Sequence, residues 1–327
     1  MTPTMQTSLD LSSATHREPL GPTAEGLSSA TFERVVLDGE PHVVKRLSYD
    51  TDWVMRAVED TGVPRVVRMH TSGMFDRLPE CIDTALVAVA FDPGTGMTEL
   101  LMRDVSDAFL RDSDSFTADQ HALLVDAMAQ LHASTRGMVD ELGLTTSAQR
   151  WSMLSPAFAR AEALRGPLTG VPSALLPMWG RLAQNAPETH RVLDTLAENP
   201  APLVAALATT PQALVHGDWK GGNLGIGADG RVILVDWSFP GIDAPCADLG
   251  WYLAVNCDRL PESKEATIEH YREALERHGM DTAGWWGYQL SLALLGCAVQ
   301  MGWSKCDQPD ELAWWSARVA EASALLP

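Results

Sequence analysis

The sequence predicts an α+β chain in two parts, a small strand-rich N-terminal part followed by a larger, mainly helical one. Two observations carry this. Four runs with strand character crowd into the first third, and from Thr117 onward apolar residues recur mostly at helical spacing. The 327 residues are ample for a buried core, and 46% hydrophobic with 20% charged residues is ordinary globular composition. The division expected is a Ser/Thr-rich mobile tail over 1–15, an N-terminal lobe over 16–106, and a C-terminal lobe over 107–327. Charge and serine crowd together from Ser106 to Ser113, at the junction of the two lobes.

Thr31 to Leu37 alternates and carries β-branched and aromatic residues. Asp38-Gly39-Glu40-Pro41 signals a turn, and His42 to Leu47 completes a hairpin. Ser48 or Asp50 is placed to cap a helix through Trp53, Val54, Ala57 and Val58, with Gly62 as its stop. Ala85 to Phe91 and Glu99 to Val105 read as two more strands, joined by the turn Asp92-Pro93-Gly94-Thr95-Gly96. Thr117 is placed to cap an amphipathic helix through Leu123, Leu124, Ala127 and Leu131. Trp151 to Leu207 reads as mostly helical, punctuated by Pro172, Pro177, Pro187 and Pro200. Short strands follow at Ala213 to His216 and Arg231 to Val235. Helices are then expected over Ser263 to His278, about Trp285 to Gly302, and Asp310 to Leu326.

Lys and Arg total 24 against 43 Asp and Glu, a formal net charge of −19. A field of that sign repels nucleic acid and anionic membranes and tolerates cationic small molecules, besides keeping the chain soluble. The five cysteines, Cys81, Cys246, Cys257, Cys297 and Cys306, are odd in number and contain no C-x-x-C pair. That is neither a disulfide framework nor a zinc site, and it fits a reducing cytoplasm. The N-terminus has no basic patch followed by an apolar core, so no signal peptide is expected. The longest strongly apolar stretch, near Ala85 to Phe91, is too short to span a bilayer.

The informative segment is Ala213 to Leu253. It holds an apolar strand, then His216-Gly217-Asp218, then Asn223, a glycine-rich turn, the strand Val232 to Val235, and Asp236-Trp237. Two strands joined by a tight turn bring the loop before the first and the residue after the second to the same side, so Asp218, Asn223 and Asp236 are placed to converge. Moving a γ-phosphoryl group to a hydroxyl needs that set: a carboxylate within hydrogen-bond reach of the hydroxyl, and hard oxygen ligands for Mg²⁺. Asp218 suits the first role, Asn223 and Asp236 the second. The Lys220 ammonium can approach the migrating phosphoryl oxygens, although a loop lysine is as often simply solvated. A literal G-x-G-x-x-G, Gly225 to Gly230, precedes a strand rather than opening a helix and reads as a hairpin turn. No G-x-x-x-x-G-K-[ST], H-E-x-x-H or G-x-S-x-G occurs.

HGDWKGGN followed by a strand-borne DWS resembles the catalytic loop and metal aspartate of the aminoglycoside phosphotransferase and choline-kinase-like small-molecule kinases. The resemblance implies a bilobal protein-kinase-like fold, ATP as donor, Mg²⁺ as cofactor and O-phosphorylation of a small molecule. It is specific over Ala213 to Leu253 and covers Gly21 to Leu253 in outline. Asp248 in Asp-Leu-Gly matches the family's structural anchor, and His216 is expected to order the loop by hydrogen bonding. The first lobe must then supply a phosphate-binding lysine and a helical carboxylate partner. Lys45 on the second strand fits the former. Glu59 is favoured for the latter, with Asp52 and Asp60 as competitors. Ser28 and Ser29, in a turn like the family's G-x-S-x-A, stand where the phosphate-covering loop belongs, or form a plain surface turn. Arg103 and Val105 are the candidates to read adenine through backbone groups.

The acceptor site is harder to place. Asp243, Asp258 and Glu262 follow the metal aspartate and can line an anionic cleft for an amino sugar or aminoglycoside, or be solvated surface. Trp219, Trp237 and Trp251 lie near the motif and offer faces for a sugar ring or a cation, whereas Trp285, Trp286, Trp303, Trp314 and Trp315 suit packing between C-terminal helices. A neutral-sugar or primary-metabolite kinase competes with this expectation. A catalytically silent nucleotide-binding regulator competes from another class, against the presence of every required residue.

Overall fold

The computed structural model describes residues 6–21, 29–58, 62–110 and 114–326. The N-terminal lobe is built on a five-stranded antiparallel sheet of β1 (His16–Leu20), β2 (Thr31–Leu37), β3 (Glu40–Ser48), β5 (Leu86–Asp92) and β6 (Met97–Arg103), in the order β1-β2-β3-β6-β5. The helices α1 (Trp53–Val58) and α2 (Arg65–Thr71) and the two-residue strand β4 (Ile82–Asp83) lie between β3 and β5. The period of two sorts β3 by face. Val44 packs with Val35 and Leu101 on the outer face, whereas Leu47 joins the main core and Lys45, only 6% exposed, shares its face.

The expected mobile tail over 1–15 is corrected for residues 6–15. Leu9, Leu11 and Ala14 cover the outer apolar cluster, the Leu9 amide donates to Glu99, and the Phe91 amide donates to the Gln6 carbonyl. Those leucines have an apolar surface to bury, which overrides the polar look of the segment. The polar strand β1 shows no alternation because four of its five residues are exposed; it pairs with β2 along its whole length.

The C-terminal lobe opens with α3 (Ala118–Ser134), capped by Thr117 in a reciprocal capping box with Gln120. It continues through α4 (Ser147–Ser152), α5 (Pro156–Ala163), α6 (Gly170–Asn185), α7 (Pro187–Glu198) and α8 (Ala201–Leu207). Pro172 and Pro177 do not punctuate: both lie in α6, Pro172 in its first turn and Pro177 inside it. Three short strands follow, β7 (Ala213–Val215), β8 (Leu224–Ile226) and β9 (Val232–Leu234), then β10 (Gly241–Asp243). The helices α9 (Cys246–Val255), α10 (Lys264–Arg277), α11 (Trp286–Met301) and α12 (Pro309–Ser323) close the lobe. β9 pairs with β8 on one side and, in parallel, with β4 on the other, whereas β7 pairs with β10. No helix among the described residues is long and apolar enough to cross a membrane.

Candidate active site

The loop between β7 and β8 is held from beneath by one buried carboxylate. Asp248, in the first turn of α9, accepts the amides of His216 at 2.8 Å and Gly217 at 2.7 Å, and meets His132 Nε2 at 3.2 Å. The anchor role expected of Asp248 has this geometry. His216 is buried with its tautomer fixed: Nδ1 accepts the Asp218 amide at 3.2 Å, so Nε2 carries the proton and donates to the Val235 carbonyl at 3.1 Å. Burial holds its pKa below the usual histidine value despite nearby aspartates. Gly217 has φ +83°, and a Cβ there would collide with the Arg150 guanidinium and the Phe239 carbonyl. The H-G-D spelling therefore demands glycine at its centre.

The Asp218 carboxylate is held on both oxygens. Oδ1 accepts Trp251 Nε1 at 2.9 Å; Oδ2 accepts Asn223 Nδ2 at 2.8 Å and lies 3.1 Å from Lys220 Nζ. Asn223 Nδ2 also donates to the Asp218 carbonyl, which leaves Asn223 Oδ1 without a partner among the described residues. Asn223 ends where β8 begins and Asp236 lies just past β9, and the Val235 amide donates to the Asn223 carbonyl at 3.1 Å. This hairpin, rather than one formed with β7, brings the two residues together.

Asp236 sits at φ +61°, a left-handed conformation uncommon for a residue with a Cβ. Its Oδ1 accepts Lys45 Nζ at 2.9 Å and Ser238 Oγ at 2.6 Å. Burial opposes its ionisation, but the Lys45 charge, those hydrogen bonds and the more distant Lys220 together hold its pKa well below the ordinary carboxylate range. Lys45 reaches across from the N-terminal sheet, so one ion pair spans the two lobes. Asp236 Oδ2 and Asn223 Oδ1 are then two hard oxygen donors with no partner among the described residues, a donor set that fits Mg²⁺.

The other expected residues fall less simply. Ser28 and Glu59 lie outside the described residues, and Ser29 is exposed. Asp52 is buried at the start of α1, where its Oδ1 accepts the Val54 amide at 2.7 Å. Its Oδ2 has no partner among the described residues. Burial raises its pKa, and the Lys45 charge works against that rise. Arg103 cannot read adenine through its amide, which already donates to the Ala85 carbonyl at 2.9 Å, and its side chain pairs with Asp83. The Val105 carbonyl accepts the Ala108 amide, while the Val105 N–H has no partner among the described residues.

Two expectations about the acceptor side are corrected. Asp243 is fully buried and paired with Arg150 Nε at 3.0 Å, so it lines no cleft. The tryptophans offer no open faces. Trp219 and Trp237 are buried edge-on around His216, and Trp251 is spent as a hydrogen-bond donor to Asp218. Three supporting residues escaped the sequence reading. Asn256 Oδ1 accepts the Gly221 amide at 3.0 Å. Arg259 stacks over Phe116 and occupies the space a Cβ on Gly221 would need. Arg150 does the same at Gly217. No spacing rule ties these residues to the motif; only the paired glycines, Gly217 and Gly221, hinted at close packing.

The sequence profile of the phosphotransferase enzyme family (APH) matches residues 25–284. No curated protein matches the sequence. Choline kinase LicA from Streptococcus pneumoniae is similar in fold, with a TM-score of 0.52 at 12% identity over 95% of this chain and 94% of that one. So is a thermostable mutant of aminoglycoside phosphotransferase APH(4)-Ia in ternary complex with ADP and hygromycin B, with a TM-score of 0.50 at 12% identity over 95% and 94% of the two chains. At such identities the likeness concerns the fold, whereas the profile spans most of the chain. With a protein-kinase-like fold and the family's profile over that length, the chain belongs to the phosphotransferase enzyme family and is a small-molecule kinase.

Proposed function

We propose that this kinase transfers the γ-phosphoryl group of ATP to a hydroxyl of a small polar acceptor, in the first instance an aminoglycoside or amino sugar. The observation that carries the reading is the Asp218 carboxylate, held by Trp251, Asn223 and Lys220 beside the Lys45–Asp236 pair. A carboxylate has about four lone-pair positions, so three donors leave room for an acceptor O–H. The acceptor hydroxyl donates to Asp218, its oxygen forms the bond to the γ-phosphorus, and the bond to the β–γ bridging oxygen breaks. The proton passes to Asp218 as the new ester forms. Asn223 and Asp236 would hold Mg²⁺, which would supply charge neutralisation at the phosphates. Lys45 braces the α- and β-phosphates, and Lys220 stabilises charge developing on the transferred group. ADP and hygromycin B in the ternary complex named above support the donor and the acceptor class.

A specific observation favours a second reading, a neutral sugar or primary metabolite as acceptor. The carboxylates expected to receive amines are otherwise engaged: Asp243 with Arg150, Glu262 with His121 and His270, and Asp258 with Gln308. A coupled ADP-release assay over aminoglycosides, amino sugars, neutral sugars and amino alcohols separates the two. Turnover confined to amine-bearing acceptors supports the first, and turnover confined to neutral ones the second. No turnover on any acceptor with intact ATP binding would point to a silent regulator. In the active case Asp218→Asn abolishes ester formation while nucleotide affinity stays within about twofold.

A further inference from the structure

A second cluster of chemistry-bearing side chains lies outside the phosphotransfer machinery. His121 in the first turn of α3, Glu262 in the loop between α9 and α10, and His270 on α10 bring one ligand atom each to a common point, all within 4.8 Å of one another. Glu262 Oε1 lies 3.0 Å from His121 Nε2 and 2.9 Å from His270 Nδ1. Two imidazoles and a carboxylate are a familiar donor set for zinc, with a fourth position left to water.

We propose that His121, Glu262 and His270 form a binding site for a divalent transition-metal ion of the zinc class, fastening α3 to the segment that follows α9. Ligands at bonds of about 2.0–2.1 Å in a tetrahedron stand about 3.3 Å apart. The two contacts through Glu262 are a few tenths of an ångström shorter than that, and the two imidazole nitrogens lie within 4.8 Å of each other. Small adjustments close the difference. Half of the His270 side chain is exposed, and Glu262 Oε2 has no partner among the described residues.

The surroundings of His121 favour a metal ligand. Its ring is buried and stacked on Tyr252, and Nδ1 faces the Tyr252 hydroxyl at 2.8 Å. A hydroxyl can donate or accept, so this pair satisfies either imidazole tautomer. Without metal, Tyr252 donates to Nδ1 and Nε2–H donates to Glu262. With metal, Nδ1–H donates to the Tyr252 oxygen and the Nε2 lone pair points at the ion. Such an outer partner on a ligating histidine fixes ring orientation and strengthens the bond. Thr267 Oγ1, 3.3 Å from both His121 Nε2 and Glu262 Oε1, limits how the carboxylate can turn away.

The site also borders the segment that steadies the catalytic loop. Trp251, Tyr252, Asn256, Arg259 and Glu262 follow one another along the chain, touching Asp218, His121, Gly221, Gly221 and the proposed ion respectively. Metal binding is independent of the acceptor's identity, so failure of either proposal leaves the other standing.

The test is Co²⁺ and Zn²⁺ titration of the metal-stripped full-length protein in millimolar Mg²⁺, followed by visible absorption and by metal content after dialysis. The expected result is one equivalent of Co²⁺ with the intense visible bands of a tetrahedral complex, displaced by Zn²⁺. Zn²⁺ should also raise the thermal midpoint. His270→Gln, at an exposed helical position that leaves folding intact, and Glu262→Gln should each abolish the one-equivalent binding and the Zn²⁺-dependent shift. Tyr252→Phe should weaken binding about 10–100-fold. Absence of a bound equivalent in the unmutated protein, or its retention in both ligand variants, would overturn the proposal.

Discussion

Trp251→Phe isolates the contact that orients the Asp218 carboxylate, the proposed proton acceptor, without touching any charge. Trp251 Nε1 is the only donor to Asp218 Oδ1 among the described residues, at 2.9 Å, whereas Oδ2 keeps Asn223 and Lys220. Phenylalanine retains most of the aromatic packing at a position 8% exposed but removes the N–H. A hydrogen bond to a charged group contributes about 1.5–3 kcal/mol. If that orientation is needed in the transition state, kcat falls about 10–150-fold, at 1.36 kcal/mol per factor of ten. Lys45 and Asp236 lie outside this contact, so the KM for ATP stays within about twofold. The assay is coupled ADP release with the acceptor identified by the panel, alongside a thermal melt to show that the variant is folded. A kcat within twofold of the parent, or a loss that falls wholly on the KM for ATP, would refute the positioning role.

Three further outcomes follow from the same geometry. Gly217→Ala introduces a Cβ at φ +83° against the Phe239 carbonyl and the Arg150 guanidinium, and should cost about 3 kcal/mol or more, read as a large drop in thermal midpoint or loss of soluble protein. Gly221→Ala displaces Arg259 from beneath the catalytic loop and should reduce kcat at least tenfold while the fold persists, checked by circular dichroism beside the ADP-release assay. Glu33, hydrogen-bonded by Arg17 and also by Arg46, has its pKa held down to about 2. A depressed carboxyl contributes stability that is present above its unfolded value and is lost as pH falls through the folded one. Glu33→Gln should therefore cost about 1 kcal/mol at pH 7, a figure reduced for the solvent around Arg17. The gap in thermal midpoint between variant and parent should close as pH falls from about 4.5 to about 2.

What the sequence made legible follows from how local each signal is. His216, Asp218, Lys220 and Asn223 lie within one loop, so a short stretch of sequence grouped them, and the ordered strand and Asp236 that follow suggested a shared chemistry. Lys45 was legible because it stands on the second strand of a predicted hairpin, where the resemblance requires a lysine, and the structure puts it on the face opposite Val44. Three-residue strands such as β8 and β10 are too short for any period to show, and the pairing of β7 with β10 rather than β9 depends on contacts across the lobe. Asp243 looked like a cleft residue because its partner, Arg150, stands 93 positions away in the chain. Trp251 was legible as an aromatic near the site but not as a donor, since the helix that turns its ring edge toward Asp218 is set by tertiary packing. The N-terminal tail misled for the opposite reason: its few leucines, Leu9 and Leu11, meet an apolar patch that only the finished sheet creates.

The measurement that bears most directly on the account is calorimetry of AMP-PNP binding with and without Mg²⁺, on the parent protein and on Asp236→Ala. If Asn223 and Asp236 offer their free oxygens to a magnesium-bound triphosphate, Mg²⁺ tightens binding at least tenfold in the parent and hardly at all in the variant. Equal affinity with and without Mg²⁺ in the parent, or an undiminished Mg²⁺ effect in Asp236→Ala, would contradict it.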